Sequence, residues 1–157
     1  TQLGYQAESG AWRNFYLTGA RDLFKKDVPY TSQLINDGVL AQMDMGTLLD
    51  YCAIQLNGKK AAGKEAVINI NFTDTKEKVM LMLNNEVLNH RLDSQDKKAD
   101  LTLEIAKMDF VKLFFGRTDL QTLLKTNKVR TTGNTKAMEV ICSAYEPADP
   151  NFKIVLP

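Results

Sequence analysis

The sequence predicts an α+β domain in which helices pack on an antiparallel sheet. Between residues 67 and 106, short segments with alternating apolar and polar side chains are separated by polar turns, which is typical of strands. After residue 107, apolar side chains recur every three or four residues in three short segments, which is typical of helices. Strands followed by helices within one small unit indicate helices on one sheet.

The composition limits the classes of function. The chain has 157 residues, of which 44% are hydrophobic and 25% charged, enough for one domain with a real core. The net charge is +1 and no Lys/Arg run exceeds two residues, which argues against nucleic acid as the main partner. No apolar stretch approaches the roughly 20 residues of a membrane helix, so no membrane span is predicted.

Helices are also predicted before the strands. Residues 1–25 carry an apolar stripe at helical spacing, with Gly10 separating a first helical piece from a second; the stripe is Trp12, Phe15, Tyr16, Gly19, Ala20 and Leu23. A further helix is predicted to begin after Asp44, a good N-cap residue, and to end at Gly58.

One predicted strand is apolar on both faces. In "VININ" and the residues after it, Ile68, Ile70 and Phe72 oppose polar side chains, as in a sheet with one buried face. In "KVMLMLNN" (78–85), by contrast, Val79, Leu81 and Leu83 oppose two methionines, so the second face of this strand also needs a cover.

A second excess of apolar surface lies in "FVKLFFGRTDLQTLL" (110–124). Its first helix is apolar nearly all the way round and must be covered on most sides. Neighbouring elements of the same domain can provide that cover. Alternatively, the Phe and Met side chains line a cavity for a long apolar ligand, or they form a protein interface.

Neither catalysis nor metal binding is predicted for this chain. The single histidine, His90, lies in a predicted strand and is interpreted as structural. The two cysteines, Cys52 and Cys142, fall on apolar faces of predicted helices and are interpreted as buried thiols. A metal site needs three or four converging ligands, and no nucleophile elbow or phosphate-binding glycine loop is present.

The second half of the chain resembles a known family. The stretch "DFVKLFFGRTDLQTLLKTNKVRTTGNTKAMEVICSAYE" (109–146) is similar to the C-terminal half of sterol carrier protein 2-like (SCP2-like) domains. The matching residues are Asp109, Phe110, Leu113, Gly116, Asp119, Leu123, Lys128, Gly133 and the face of Met138 and Ile141.

A narrower resemblance covers nearly the whole chain. The stretches "LGYQAESGAWRNFYLTGARDL" (3–23), "MDMGTLLDYCAIQLNGKKAAGK" (43–64) and "ADPNFKIVLP" (148–157) are similar to the C-terminal region of alkyl sulfatases of the metallo-β-lactamase superfamily. This resemblance implies a zinc-dependent catalytic domain and a helical dimerisation domain upstream, with no cofactor in this fragment. Residues 1–30 are then expected to form the junction with the dimerisation domain, and residues 31–157 the SCP2-like domain.

The resemblance also implies a fold and a role. The expected fold is SCP2-like, an antiparallel or mixed five-stranded sheet covered by helices that enclose an apolar tunnel. The expected role is non-catalytic binding of a long aliphatic chain, which helps recruit aliphatic sulfate esters. The alternative is a structural or assembly domain whose tunnel is filled by its own side chains. By the same resemblance, a periplasmic or secreted location is expected, with the cytoplasm as the alternative.

Candidate site residues follow from these expectations. The expected apolar lining consists of Met80, Met82, Phe110, Leu113, Phe114, Phe115, Leu123, Leu124, Met138 and Ile141. The sequence does not say which face of the Met strand meets the tunnel. The candidate contacts for a sulfate head group are the cations Arg117, Lys112 and Lys125.

Overall fold

The computed structural model describes residues 1–24 and 36–147. The chain divides into two compact units, residues 1–34 with 148–157 and residues 35–147. The predicted boundary between residues 30 and 31 lies outside the described residues.

The described elements follow the predicted order. The helices are α1 (Gln2–Gln6), α2 (Gly10–Phe24), α3 (Asp37–Gln42), α4 (Met45–Ile54), α5 (Gly58–Ala61), α6 (Lys107–Phe114), α7 (Leu120–Lys125) and α8 (Lys136–Ser143). The strands are β1 (Ala66–Phe72), β2 (Lys78–Asn84), β3 (Val87–Leu92), β4 (Leu101–Ile105) and β5 (Val129–Gly133). The first two helices belong to the first unit, and all other elements belong to the second.

The five strands form one mixed sheet in the order β3-β2-β1-β4-β5. Strands β1 and β4 are parallel, and the other three pairs are antiparallel. The α+β class and the five-stranded sheet are therefore confirmed, but the purely antiparallel arrangement predicted for residues 67–106 is wrong. Parallel strands cannot be joined by a tight turn, and the segment 93–100 provides the crossover between β3 and β4.

One face of the sheet is continuously apolar. Ile68 of β1 lies opposite Leu81 of β2 and Leu101 of β4, and all three side chains are fully buried. The helices cover this face: the ring of Phe72, which ends β1, lies 5.6 Å from the ring of Phe110 in α6. The alternation read from the sequence thus gives the correct core face in β1. For β2 the sequence left the face open, and the structure places Leu81 on the core face.

The crossover segment packs against the second face of the Met strand. Met80 lies opposite Asn69 in the register of β2 and β1, so the two side chains share the face turned away from the helices. The amide of Asn69 donates to the carbonyl of Asp96 at 2.7 Å and accepts from its backbone N–H at 3.0 Å. The crossover segment thus lies against this face, where Met80 is only 6% exposed and Met82 is half-buried.

Side-chain caps fix where the helices begin. The Asp44 carboxylate accepts from the backbone N–H of Thr47 at the start of α4, and Asp119 caps α7 in the same way through Thr122. The prediction that Gly58 ends the first of these helices is wrong. Helix α4 ends at Ile54, and Gly58 instead opens the short α5.

A buried lysine joins α6 to its neighbours. Lys107 is 7% exposed, and its ammonium group donates to the carbonyls of Ala41, at 3.0 Å, and Met43. Its backbone N–H donates to both carboxylate oxygens of Asp74 at 3.1 Å, in the turn between β1 and β2. Because these groups satisfy the charge and the first N–H of the helix, they fix α6 against both the sheet and the end of α3.

We expect Gly133→Ala to destabilise the fold by about 2 kcal/mol or more. Gly133 has a φ of +108°, and a Cβ there would lie 2.4 Å from the carbonyl oxygen of Asp100. The matched control is Gly63→Ala, which has a φ of +68° but open space around it, so only the left-handed backbone costs about 1 kcal/mol. Urea denaturation of both variants measures the difference, and equal losses would contradict the close approach.

We expect Asp44→Ala to lower the melting temperature at neutral pH, with a gap from wild type that narrows in acid. The hydroxyl and the backbone N–H of Thr47 hydrogen-bond the carboxylate and hold the pKa of Asp44 below its ordinary 3.8. A lowered pKa means that the stabilisation is complete above 3.8 and is lost as the pH falls further. Thermal melts from pH 7 to pH 2.5 test this, and a gap independent of pH would contradict it.

Candidate functional site

A file of aromatic rings leads from the sheet to the rim of the helical layer. Phe110 follows Phe72, and its ring lies 6.1 Å from that of Phe114 one turn later in α6. The ring of Phe114 in turn lies 5.9 Å from that of Tyr145, just after α8. Phe72, Phe110 and Phe114 are fully buried, whereas Tyr145 is only half-buried.

Three half-buried aromatic residues, Tyr51, Phe115 and Tyr145, form the outer end of this file; we call them the aromatic rim. Phe115 lies at its centre, with its ring 5.7 Å from that of Tyr51 and 5.3 Å from that of Tyr145. Aromatic side chains of this kind offer a large apolar face, and tyrosine adds a polar tip. The rim therefore combines apolar surface that is continuous with the core and hydroxyl groups at its edge.

Backbone hydrogen bonds between the segments that follow α4 and α8 hold the rim together. The backbone N–H of Asn57 donates to the carbonyl of Ala144 at 2.8 Å, and that of Glu146 donates to Gln55 at 3.0 Å. These bonds join the segments that carry Tyr51 and Tyr145. Burial raises the pKa of the Tyr145 phenol, and the nearby Tyr51 phenol raises it further by a smaller amount. The positive charge of Arg117 lowers this pKa and so opposes both effects. Tyr51 and Arg117 therefore both lie within electrostatic reach of the Tyr145 phenol.

The three candidate head-group cations are placed differently. Arg117 follows Phe115 by two residues, forms a half-exposed ion pair with Asp37, and lies near the rim. Lys112 is half-buried in α6, and Lys125 is exposed at the end of α7. Among the described residues, neither lysine side chain forms an ion pair with a carboxylate. The structure therefore brings Arg117 to the rim and gives no such placement for the two lysines.

The structure brings together eight of the ten candidate lining residues. Six of them are buried in the layer between sheet and helices, and Phe115 and Leu124 pack half-buried against it; the six are Phe110, Leu113, Phe114, Leu123, Met138 and Ile141. Met80 and Met82 lie on the opposite face of the sheet. The face of the Met strand that meets the helices is the one with Val79, Leu81 and Leu83, so the two methionines do not share a space with the other eight.

Sequence reasoning missed both tyrosines of the rim. Tyr51 lies beside Cys52 in the clearest predicted helix, and Tyr145 lies two residues before the proline that ends the last one. The available sequence signal is a tyrosine, an aromatic residue with a polar tip, near the end of each of two amphipathic helices. It becomes meaningful only when the two helix ends are known to meet.

The described residues do not fit a zinc ion. Within residues 1–24 and 36–147, no three His, Cys, Asp or Glu side chains converge in a way that could hold a metal. Burial raises the pKa of both Cys52 and Cys142 to about 12, which disfavours the thiolate that zinc binds. His90 lies 3.8 Å from the carboxylate of Asp50, between β3 and α4.

Across the part of the chain that the structure describes, no helix is both long and apolar enough to cross a membrane.

Comparison with known proteins gives consistent matches. The family described as alkyl sulfatase C-terminal matches residues 33–157. A linear primary-alkylsulfatase of Pseudomonas sp is 37% identical over 158 residues, which cover 99% of this chain and 23% of that protein. An (R)-specific secondary-alkylsulfatase of Pseudomonas sp is 33% identical over 162 residues, with 99% and 23% covered. The chain thus spans about a quarter of the length of the curated relatives it matches.

Solved structures show the same likeness. The stereoselective inverting sec-alkylsulfatase Pisa1 from Pseudomonas sp. aligns with a TM-score of 0.86 at 32% identity, over 98% of this chain and 24% of that chain. SCP2-like proteins are also structural neighbours. Sterol carrier protein-2 like-3 from Aedes aegypti aligns with a TM-score of 0.45 at 19% identity, over 59% of this chain and 92% of that chain.

We expect both cysteines to resist alkylation in the native protein. With a pKa of about 12, each thiol is ionised at pH 8 to about one part in ten thousand, so iodoacetamide should react at least about a thousandfold more slowly than with an ordinary cysteine. Mass spectrometry of timed samples measures this rate. In guanidinium chloride both thiols should react at the ordinary rate, and rapid native labelling of either would contradict their burial.

Proposed function

The chain belongs to the alkyl sulfatase C-terminal family, and on that premise we propose that it binds the alkyl chain of aliphatic sulfate esters. It performs no hydrolysis itself and recruits the ester for a hydrolase of which it forms a part. The relatives are alkylsulfatases, whose substrates consist of an apolar alkyl chain and a sulfate group. An apolar site is suited to bind the alkyl chain.

The aromatic rim is the observation that carries this proposal. Tyr51, Phe115 and Tyr145 are half-buried, and their rings continue inward through Phe114 to the core. Further half-buried apolar side chains pack on the same core: Met108, Leu124 and Val140 in α6, α7 and α8, and Met43 and Leu56 just after α3 and α4. An alkyl chain that enters at the rim would meet apolar side chains along its length.

The energetics suit a chain of moderate length. Each buried CH₂ contributes about 0.8 kcal/mol, so a decyl chain gains several kcal/mol even after losses of translational and conformational entropy. Such a site binds its ligand mainly through the apolar surface area that is buried, and directional hydrogen bonds contribute little. It therefore accepts chains of different length, which is appropriate for a recruiting domain.

The longer protein of which this chain is a part is proposed to be a zinc-dependent alkyl sulfatase, with its metal and its hydrolytic residues in the remaining three quarters. In the first unit, α1 and α2 expose large apolar side chains, among them Trp12, Phe15 and Leu23. We propose that these side chains bind the upstream domains of the same protein, as expected for a junction with a dimerisation domain. The compartment, periplasmic, secreted or cytoplasmic, stays a prediction.

A structural role is the second candidate function. It is favoured by the complete burial of Phe110 and Phe114, whose rings pack against Phe72 and Tyr145. If these rings fill the layer between sheet and helices permanently, no alkyl chain can enter. The domain would then stabilise the assembly of the longer protein without a ligand of its own.

We expect alkyl sulfates to displace an apolar fluorescent probe with an affinity that rises with chain length. From octyl to dodecyl sulfate, each added methylene should lower Kd by up to about fourfold, because each buries about 0.8 kcal/mol of apolar surface. Titrations are kept below the micelle concentration of each ester. No probe uptake by a folded sample would contradict alkyl binding and favour the structural role.

We expect Phe115→Ser to weaken decyl sulfate binding about tenfold, since it removes the central ring of the aromatic rim. Phe115 is half-buried, so the fold should survive the change. The matched control is Phe15→Ser, which removes a phenylalanine that is 53% exposed in α2. Equal affinities of the two variants for decyl sulfate would contradict a site at the rim.

A further inference from the structure

Two polar groups from other elements lie within electrostatic reach of the Tyr145 phenol at the aromatic rim. The phenol of Tyr51 comes from α4, the phenol of Tyr145 from the segment after α8, and the guanidinium of Arg117 from the turn after α6. The ring of Phe115 lies against the rings of both tyrosines. Gly116, with a φ of +65°, lets the chain turn after this phenylalanine, and the backbone N–H of Arg117 donates to the carbonyl of Lys112 at 2.8 Å.

The donors of these groups are largely unused. Among the described residues, neither phenol hydroxyl has a hydrogen-bond partner, and both side chains remain partly open to solvent. The guanidinium has five N–H donors in a planar fork, of which one nitrogen contacts Asp37. That ion pair is about half exposed on both sides, so it is a weak interaction that an incoming anion can share or replace.

The chemistry of the three groups is that of an anion site. Guanidinium can only donate hydrogen bonds, and it binds planar arrays of anionic oxygens in bidentate fashion. The pKa of the Tyr145 phenol is raised, which keeps this hydroxyl protonated and able to donate at neutral pH. A sulfate ester presents three acceptor oxygens and one negative charge, whereas the alcohol formed from it presents a single neutral hydroxyl.

We propose that Tyr51, Tyr145 and Arg117 bind the sulfate group of the ester while its alkyl chain occupies the apolar layer, so that the domain prefers the sulfate ester to the corresponding alcohol. This inference rests on the proposed function, because the head group is positioned only if the chain is bound. Its consequence is selectivity between substrate and product: the domain holds the charged ester and releases the uncharged alcohol.

The test compares decyl sulfate and decanol as competitors of a fluorescent probe on the same 157-residue chain. For the wild type, decyl sulfate should bind about tenfold more tightly than decanol. In Arg117→Gln this ratio of affinities should fall to about twofold. The double variant Tyr51→Phe, Tyr145→Phe keeps both rings and should also reduce the ratio.

Two control variants isolate the head group. Lys97→Gln removes one exposed positive charge in the crossover segment, on the far side of the sheet, and should leave the preference unchanged. Asp37→Asn removes the carboxylate that competes for Arg117 and should increase the preference. If Lys97→Gln and Arg117→Gln lower the preference equally, only net charge matters and the inference fails.

The remaining outcomes separate the inference from the proposed function. If the wild type binds decyl sulfate and decanol equally well, the alkyl site stands and the head-group site is overturned. If neither ligand displaces the probe, the proposed function itself fails, and the inference fails with it.

Discussion

The whole arrangement depends on the side chains of three neighbouring strands alternating in register. Ile68, Leu81 and Leu101 lie side by side across β1, β2 and β4, and so do their neighbours two residues along. Because successive side chains point to opposite faces, this register concentrates the aliphatic residues on one face. That face is the one the helices cover, and the aromatic file begins there at Phe72.

The two faces of the sheet therefore have different covers. On one side, α6 is fixed by the buried Lys107 and brings its phenylalanines onto the apolar face. On the other side, the crossover segment forms hydrogen bonds with Asn69, the cross-strand neighbour of Met80. A ligand site built from half-buried aromatic side chains follows only on the helical side. Met80 and Met82, which the sequence analysis placed in the lining, instead lie on the face of the sheet against which the polar crossover segment packs.

The sequence predicted much of this, and the parts it missed have a common physical reason. Local patterns identified the strands, the cap at Asp44 and the apolar helix that contains Phe110, since each depends on residues close together in the chain. The parallel pairing of β1 with β4 instead joins residues far apart in the chain, such as Ile68 with Leu101. The rim likewise depends on Tyr51 meeting Tyr145, and no local pattern contains that contact. The sequence analysis assigned the Met strand and the apolar segment 110–124 to one ligand cavity. In the structure the two methionines and the phenylalanines of α6 lie on opposite faces of the sheet.

Methyl NMR of the 157-residue chain labelled at methionine tests the central claim most directly, because the six methionines sample both faces of the sheet. Met108 and Met138 lie with the helices, whereas Met80 and Met82 lie under the crossover segment. On addition of decyl sulfate below its micelle concentration, we expect the Met108 and Met138 methyl signals to shift and those of Met80 and Met82 to stay unchanged. Shifts confined to Met80 and Met82, or no shift at any methionine, would contradict an alkyl site between the sheet and its helices.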